Sequence, residues 1–141
     1  MISGEPGKLI AWSEEFSVGI PSIDAQHRKL FALINDLHAA MACGRGAIVV
    51  SRTLVGLLAY TSSHFVHEEK LLAETAYPAF HDHKAEHARL LAAVKQLQSD
   101  LLAGKSAISL DVLHFLKDWL RRHILGMDQK YARHLQAAGA K

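Results

Sequence analysis

Apolar residues recur along four stretches of this chain with the period of an α-helix. In the first stretch they stand at Ile23, Leu30, Phe31, Ile34, Leu37 and Met41. Three later stretches repeat the pattern, separated by glycines or by Tyr77-Pro78, where the residue before proline disfavours helical backbone. The one β-branched run, Ile48-Val49-Val50, is too short to indicate a sheet. The hydrophobic pattern therefore predicts an all-α fold.

Four helices and an N-terminal arm follow from the breaks in this pattern. An irregular arm is predicted at residues 1–21, where glycine and proline are frequent. We expect helices at about 22–43, 47–74, 79–103 and 109–135, the first with Ser22 as its N-cap. Short connections between such helices are typical of an up-down-up-down four-helix bundle. Residues 1–141 are together predicted to form a single domain.

Composition narrows the classes of function that the chain can have. Half of its 141 residues are hydrophobic and its formal net charge is only +2, so neither disorder nor nucleic-acid binding is expected. No stretch approaches the roughly 20 apolar residues of a membrane span, and the acidic N-terminal segment does not resemble a signal peptide. Cys43 is the only cysteine, which excludes an internal disulfide and a multi-thiolate metal site. These features predict a cytoplasmic protein.

Histidine is the residue type that points to chemistry, with ten copies in the chain. Five histidines and two carboxylates stand at spacings that suit metal ligands: His27, His64 with Glu68, His83 with His87, and His123 with Asp128. Residues four apart share one face of an α-helix, which brings each of the two middle pairs together. A spacing of five does not share a face, so we expect a π-bulge between His123 and Asp128, eased by Gly126.

These seven side chains are also predicted to lie at one depth in the bundle. His27 and His83 are near the starts of their helices, whereas His64 and His123 are near the ends. In an antiparallel bundle the starts of the first and third helices and the ends of the second and fourth lie at the same end. At 1.5 Å per residue, each of these histidines is about 21–24 Å along its helix from the other end of the bundle. Imidazole-rich sets bind transition metals, and seven ligands exceed the needs of one tetrahedral ion. The pattern predicts a dinuclear metal centre with shared carboxylates.

Surface or helix-end positions are expected for the other histidines, His38, His67, His81, His114 and His134.

Four short motifs carry the seven residues. They are I-D-A-Q-H ending at His27, H-F-V-H-E from His64 to Glu68, H-D-H-K-A-E-H from His81 to His87, and H-I-L-G-M-D from His123 to Asp128. In this order, and with Trp12 before them, they resemble the hemerythrin family and, within it, the bacterial single-domain form. Each motif alone is weak, but the ordered set is specific and covers nearly the whole chain.

The resemblance implies a non-haem di-iron centre that binds O2 reversibly. His83, His87 and His123 would bind one iron and His27 and His64 the other, while Glu68, Asp128 and an oxo or hydroxo group would bridge both. The family positions that would line the O2 pocket are Leu30, Phe65, Trp119, Leu120 and Ile124. Imidazoles replace much of the negative charge of ferritin-like di-iron sites, which disfavours the high-valent iron that cleaves O2. An oxygen carrier for storage or delivery is therefore expected, rather than an enzyme.

Three alternatives stay open beside the carrier. The protein could sense O2, redox or iron state through a separate delivery or signalling partner, since the chain length leaves no room for an attached output domain. It could instead reduce O2, peroxide or nitric oxide, although no polar substrate pocket or proton relay is evident in the sequence. A di-zinc hydrolase is disfavoured, because seven protein ligands leave little room for substrate and a metal-bound nucleophile.

Overall fold

The computed structural model describes residues 8–44, 47–103 and 110–141. Its helices are α1 (Pro21–Ala42), α2 (Ala47–Glu74), α3 (Phe80–Leu102), α4 (Leu110–Arg122) and α5 (Gln129–Ala137). A π-helical segment, His123–Asp128, joins α4 to α5, and a short 3-10 turn, Glu14–Phe16, lies in the arm. The predicted all-α four-helix bundle is confirmed, with α1 packed on α2 and α4, and α2 on α3. The first seven residues of the predicted arm, and residue 109 at the expected start of the fourth helix, lie outside the described residues.

The first helix begins differently from the sequence prediction. Ser22 is not the N-cap; that position is held by Ile20, in extended backbone, and Pro21 is the first helical residue. Proline suits this place because its fixed φ fits the first turn and its missing N–H needs no acceptor. Ser22 instead donates its hydroxyl to the Lys141 carbonyl, 2.7 Å away, and contacts the His67 ring. The arm is held by Asp24, whose carboxylate accepts hydrogen bonds from the Val18 N–H and the Ser17 hydroxyl.

Buried apolar residues form two clusters, one on each side of a polar layer. The larger cluster fills the middle of the bundle and includes Phe16 of the arm. The smaller one lies at the end where the arm enters α1, and its members are Val18, Ile20, Ile23, Leu72, Tyr131, Ala132 and Leu135. On α2, Glu68 lies between Phe65 of the larger cluster and Leu72 of the smaller one. The polar layer is therefore enclosed by apolar side chains above and below.

The predicted irregularity near Gly126 is confirmed. Residues His123–Asp128 adopt a π-helix, and Gln129 continues in ordinary helical backbone. In a π-helix the backbone hydrogen bonds join residues five apart, whereas in an α-helix they join residues four apart. Asp128, five residues after His123, therefore lies on the same face as His123. No helix in the described part of the chain is long and apolar enough to cross a membrane.

Candidate metal centre

All seven predicted side chains lie in the polar layer of the bundle. One comes from α1, two each from α2 and α3, and two from the π-helical segment, and none is more than 6% exposed. The other five histidines do not join them, since all five are partly or fully exposed. Charged and imidazole side chains are rarely buried this completely unless they are paired or coordinate a metal. Burial therefore distinguishes the same two sets of histidines as the residue spacing in the sequence.

Glu68 divides the histidines into two groups. Its Oε1 lies 2.7 Å from His83 Nε2 and 3.1 Å from His87 Nε2. Its Oε2 lies 3.1 Å from His64 Nε2 and 3.6 Å from His27 Nε2. Each oxygen of one carboxylate therefore faces a different pair of imidazoles.

Asp128 repeats this division on the opposite side. Its Oδ1 lies 3.1 Å from His83 Nε2 and 3.2 Å from His123 Nε2, while its Oδ2 lies 3.2 Å from His27 Nε2. The result is a group of three imidazoles, His83, His87 and His123, and a group of two, His27 and His64, with both carboxylates shared. A carboxylate with one oxygen toward each group has the arrangement of a bridging ligand.

The donor set fits a pair of metal ions better than a network of hydrogen bonds. Both oxygens of Asp128 and both ring nitrogens of His27 are buried and have no hydrogen-bond partner among the described residues. Such orphaned groups are costly unless another partner satisfies them. Two donors at right angles, each about 2.1 Å from one ion, would be about 3 Å apart, close to the spacings above. Glu68 with His83, His87 and His123, and Glu68 with His27 and His64, are each close enough together to hold an ion.

The electrostatics of the metal-free site show what an ion would replace. Burial alone would lower the pKa of His27 and His83, but the facing Asp128 and Glu68 outweigh burial and raise each pKa to about 9. Burial would likewise raise the pKa of Asp128 and Glu68, yet the surrounding imidazoles hold both well below their usual range. Without metal, protons on histidine therefore balance the two carboxylates. Bound cations would displace those protons and supply the same balance.

Tyr131 and Gln26, which the sequence interpretation did not select, also contact the polar layer. The Tyr131 hydroxyl donates to Glu68 Oε2 at 2.8 Å, and the Gln26 amide oxygen accepts from His64 Nδ1 at 2.7 Å. Burial, with Asp128 and Glu68 nearby, raises the pKa of Tyr131 well above its ordinary value, so the phenol keeps its proton. Tyr131 could have been found, because it stands three residues after Asp128 on the same helix face. Gln26 stands in the I-D-A-Q-H motif, but nothing in that motif predicts its contact with His64.

Replacing Tyr131 with phenylalanine should destabilise the metal-free protein. Phenylalanine keeps the buried ring but removes the donor to Glu68, and a hydrogen bond to a charged group contributes about 1.5–3 kcal/mol. Urea unfolding of the stripped protein measures the change in free energy. Tyr77→Phe is the matched control, since Tyr77 packs edge-on against the Tyr131 ring without bonding a carboxylate of the site. Equal losses in the two variants would mean that the hydroxyl contributes nothing specific.

Aromatic rings separate the three-histidine group from an apolar cavity. Phe65 stacks on His87 with ring centroids 3.6 Å apart, and Trp119 stacks on His123 at 4.5 Å. Both rings, with Leu30 and Leu120, also line a cavity of about 30 Å³ inside the bundle. That volume suits one small molecule, since a water needs about 10–15 Å³ on this measure. Ile124, the fifth residue expected at the pocket, does not line this cavity, although it is fully buried in the core.

Comparison with known proteins finds one family throughout. The family model described as "Hemerythrin HHE cation binding domain" matches residues 18–135. A bacteriohemerythrin from Stenotrophomonas maltophilia is 35% identical over 129 residues, covering 92% of this chain and 83% of the relative. A myohemerythrin from Theromyzon tessulatum is 31% identical over 120 residues, covering 85% and 88%.

Solved structures agree with the sequence comparison. The crystal structure of a wild-type hemerythrin superposes with a TM-score of 0.87 at 33% identity, covering 90% of this chain and 98% of that one. A single-residue variant of hemerythrin matches with a TM-score of 0.88 at 32% identity, covering 91% and 98%. These matches confirm the resemblance seen in the four sequence motifs.

Proposed function

This chain belongs to the hemerythrin family, and we propose that it binds O2 reversibly at two non-haem irons, as a carrier for storage or delivery. The observation that carries the proposal is the shared use of both carboxylates by two buried imidazole groups. The relatives named bacteriohemerythrin and myohemerythrin support it. A reduced cytoplasm is the setting we propose, because Cys43 is the only cysteine.

The donors divide unequally between the two proposed iron positions. One position has three imidazole nitrogens and two carboxylate oxygens, and the other has two nitrogens and two oxygens. His83, His87 and His123 would surround the first iron with more protein donors than His27 and His64 would give the second, so the second would have more room for an added ligand. The side of His27 and His64 is therefore where we place ligand exchange.

The surrounding side chains would favour release of O2 unchanged. The irons, when bound, would supply the electrons that O2 accepts on binding and returns on release. Phe65 and Trp119 cover the imidazoles of His87 and His123 and exclude water from that side of the polar layer. Leu30 and Leu120 extend the same apolar wall around the cavity. Because few proton donors face this cavity, irreversible loss of reduced oxygen species should be slow.

An optical spectrum of iron-quantified protein tests the proposal. The protein is reduced without air, exposed to O2, and then freed of O2 by argon exchange. We expect two irons per chain and a visible absorption band that appears with O2 and disappears on its removal. Oxidation without such a band would favour the alternative of an O2 or redox sensor with a separate partner. Sustained O2 consumption with a reductant would favour an enzyme, and the absence of iron would reopen the choice of metal.

Leu120→Ala should speed both O2 binding and oxidation of the centre. Leu120 is 6% exposed and lines the apolar cavity, so a smaller side chain widens the route to the polar layer. Lowering the access barrier by roughly 1.4 kcal/mol would speed binding about tenfold. Stopped-flow mixing and the decay of the visible band measure the two rates.

Leu113→Ala is the control for this variant. Leu113 is fully buried on the same helix, but it does not line the cavity. Both substitutions should cost about 2–5 kcal/mol of stability, while only the change at Leu120 should alter the two rates. Unchanged rates in Leu120→Ala would place the route elsewhere.

A further inference from the structure

One imidazole of the three-histidine group has a charged partner on its outer nitrogen. His87 Nδ1 lies 2.8 Å from Glu69 Oε2. A carboxylate only accepts hydrogen bonds, so His87 must donate from Nδ1 and keep Nε2 for the polar layer. The bond is well shielded, because the side chain of His87 is 1% exposed and that of Glu69 is 20% exposed. Glu69 therefore fixes both the tautomer and the ring orientation of His87.

The two-histidine group has a neutral partner in the corresponding place. His64 Nδ1 lies 2.7 Å from the amide oxygen of Gln26, which also accepts a hydrogen bond but carries no net charge. Among the residues that the structure describes, no other imidazole of the site has a carboxylate at Nδ1. The two groups thus differ in charge as well as in their number of imidazoles.

A carboxylate that accepts a hydrogen bond from a ligating imidazole makes the imidazole more basic, so its other nitrogen donates its electron pair to the metal more strongly. Negative charge near an ion favours its more highly charged state, and partial burial limits screening by solvent and salt. An amide oxygen in the same position orients the ring without this electrostatic effect. The contact between Glu69 and His87 is therefore expected to bear on the oxidation state of the ion that His87 holds.

We propose that Glu69 is a positioning residue that acts through His87 to stabilise the more oxidised form of the metal held by His83, His87 and His123. The inference rests on the proposed di-iron function. Gln26 is its uncharged counterpart behind His64. The carboxylate charge behind the imidazoles therefore lies beside His87, on the side that we expect to be closed to O2. The asymmetry would concentrate ferric stabilisation at that ion and leave the ion beside His27 and His64 easier to reduce.

Glu69→Gln and Gln26→Glu are the variants that test this assignment. Glu69→Gln keeps a hydrogen-bond acceptor of the same size and removes the charge, whereas Gln26→Glu adds a charge behind His64. Glu74→Gln is the control for net charge, because Glu74 is exposed at the end of the same helix. Glu69→Ala removes both acceptor and charge. Thermal unfolding of the zinc-loaded forms shows that each variant is folded.

The first measurement is zinc affinity of the stripped protein, which does not depend on O2 or on iron redox chemistry. We expect Glu69→Ala to weaken binding about 10- to 100-fold, the usual cost of losing such a partner, and Glu69→Gln to weaken it less. NMR of the zinc-loaded protein should show the His87 Nδ1–H in wild type and in Glu69→Gln, but exchange-broadened in Glu69→Ala. Wild-type affinity and an unchanged Nδ1–H signal in Glu69→Ala would overturn the positioning role.

The second measurement is the reduction potential of the iron-loaded protein, followed by its visible spectrum. If Glu69→Gln weakens ferric binding tenfold more than ferrous binding, the potential rises by about 59 mV. Gln26→Glu should lower it. A potential equal to that of Glu74→Gln would overturn the electrostatic part of the proposal. Failure of the proposed function would appear differently, as a wild-type protein with no O2-dependent band but an intact effect on zinc affinity.

Discussion

Glu68→Gln is expected to abolish paired metal binding. Glutamine is nearly the same size, but it removes the negative charge that faces both imidazole groups. Removing one member of a buried charged set typically costs about 3–5 kcal/mol, which is roughly a 10²- to 10⁴-fold loss of affinity. Because Glu68 is shared, the loss should affect both ions, and the stoichiometry should fall below two per chain.

Metal analysis after dialysis at fixed free iron measures this effect. Glu74→Gln is the matched control, since Glu74 lies on the same helix but is exposed, and its metal content should equal that of wild type. Circular dichroism establishes that Glu68→Gln remains helical without metal. Retention of two tightly bound ions in Glu68→Gln would show that this carboxylate is not a shared ligand.

Stripping the metal should make the stability of the protein fall at alkaline pH. His27 and His83 titrate at about 9 in the metal-free fold, against 6.5 when unfolded. A raised histidine pKa stabilises the fold fully below pH 6.5, and this stabilisation is lost as pH rises through about 9. Each pKa unit corresponds to about 1.4 kcal/mol, so the two histidines together can contribute several kcal/mol. The stripped protein should therefore unfold much more readily at pH 9.5 than at pH 6.5.

The metal-loaded protein supplies the contrast for this measurement. Its ligating imidazoles are neutral, so stability should change little between pH 7 and 9 and should fall in acid, where protons compete with the metal. Urea titrations of both forms at matched pH values give the two profiles. An alkaline profile of the stripped protein as flat as that of the loaded one would show that His27 and His83 are not charged in the metal-free fold.

The same charges explain why the polar layer tolerates complete burial. Seven polar side chains between two apolar clusters would be costly if any stayed uncompensated. Contact with the imidazoles lowers the pKa of Glu68 and of Asp128. The two carboxylates in turn raise the pKa of His27 and of His83. Positive charge on these imidazoles, or on cations bound between them, would balance the two carboxylates and reduce the cost of burying them.

Local pattern was enough to predict the helices and the pairs of site residues that share a helix face. Helical period and chain breaks depend on residues close in sequence, and a spacing of four defines a face without knowledge of the partner helix. The spacing of five between His123 and Asp128 was informative because residues five apart do not share a face of an α-helix. The structure has a π-helix over that interval. At the first helix start, Ser22 was the better local signal, but Pro21 and the buried Asp24 at the arm determined the boundary.

The sequence by itself determined the all-α bundle, the level of the polar layer and the residue types that meet there, because these follow from periodicity and antiparallel geometry. Only the tertiary structure decided which oxygen of Glu68 and Asp128 faces which imidazole. It also decided that Tyr131, Gln26 and Glu69 contact the polar layer, while Ile124 does not line the cavity. Such contacts depend on rotamers and on packing between helices distant in sequence, where differences of about one ångström separate a hydrogen bond from no bond at all.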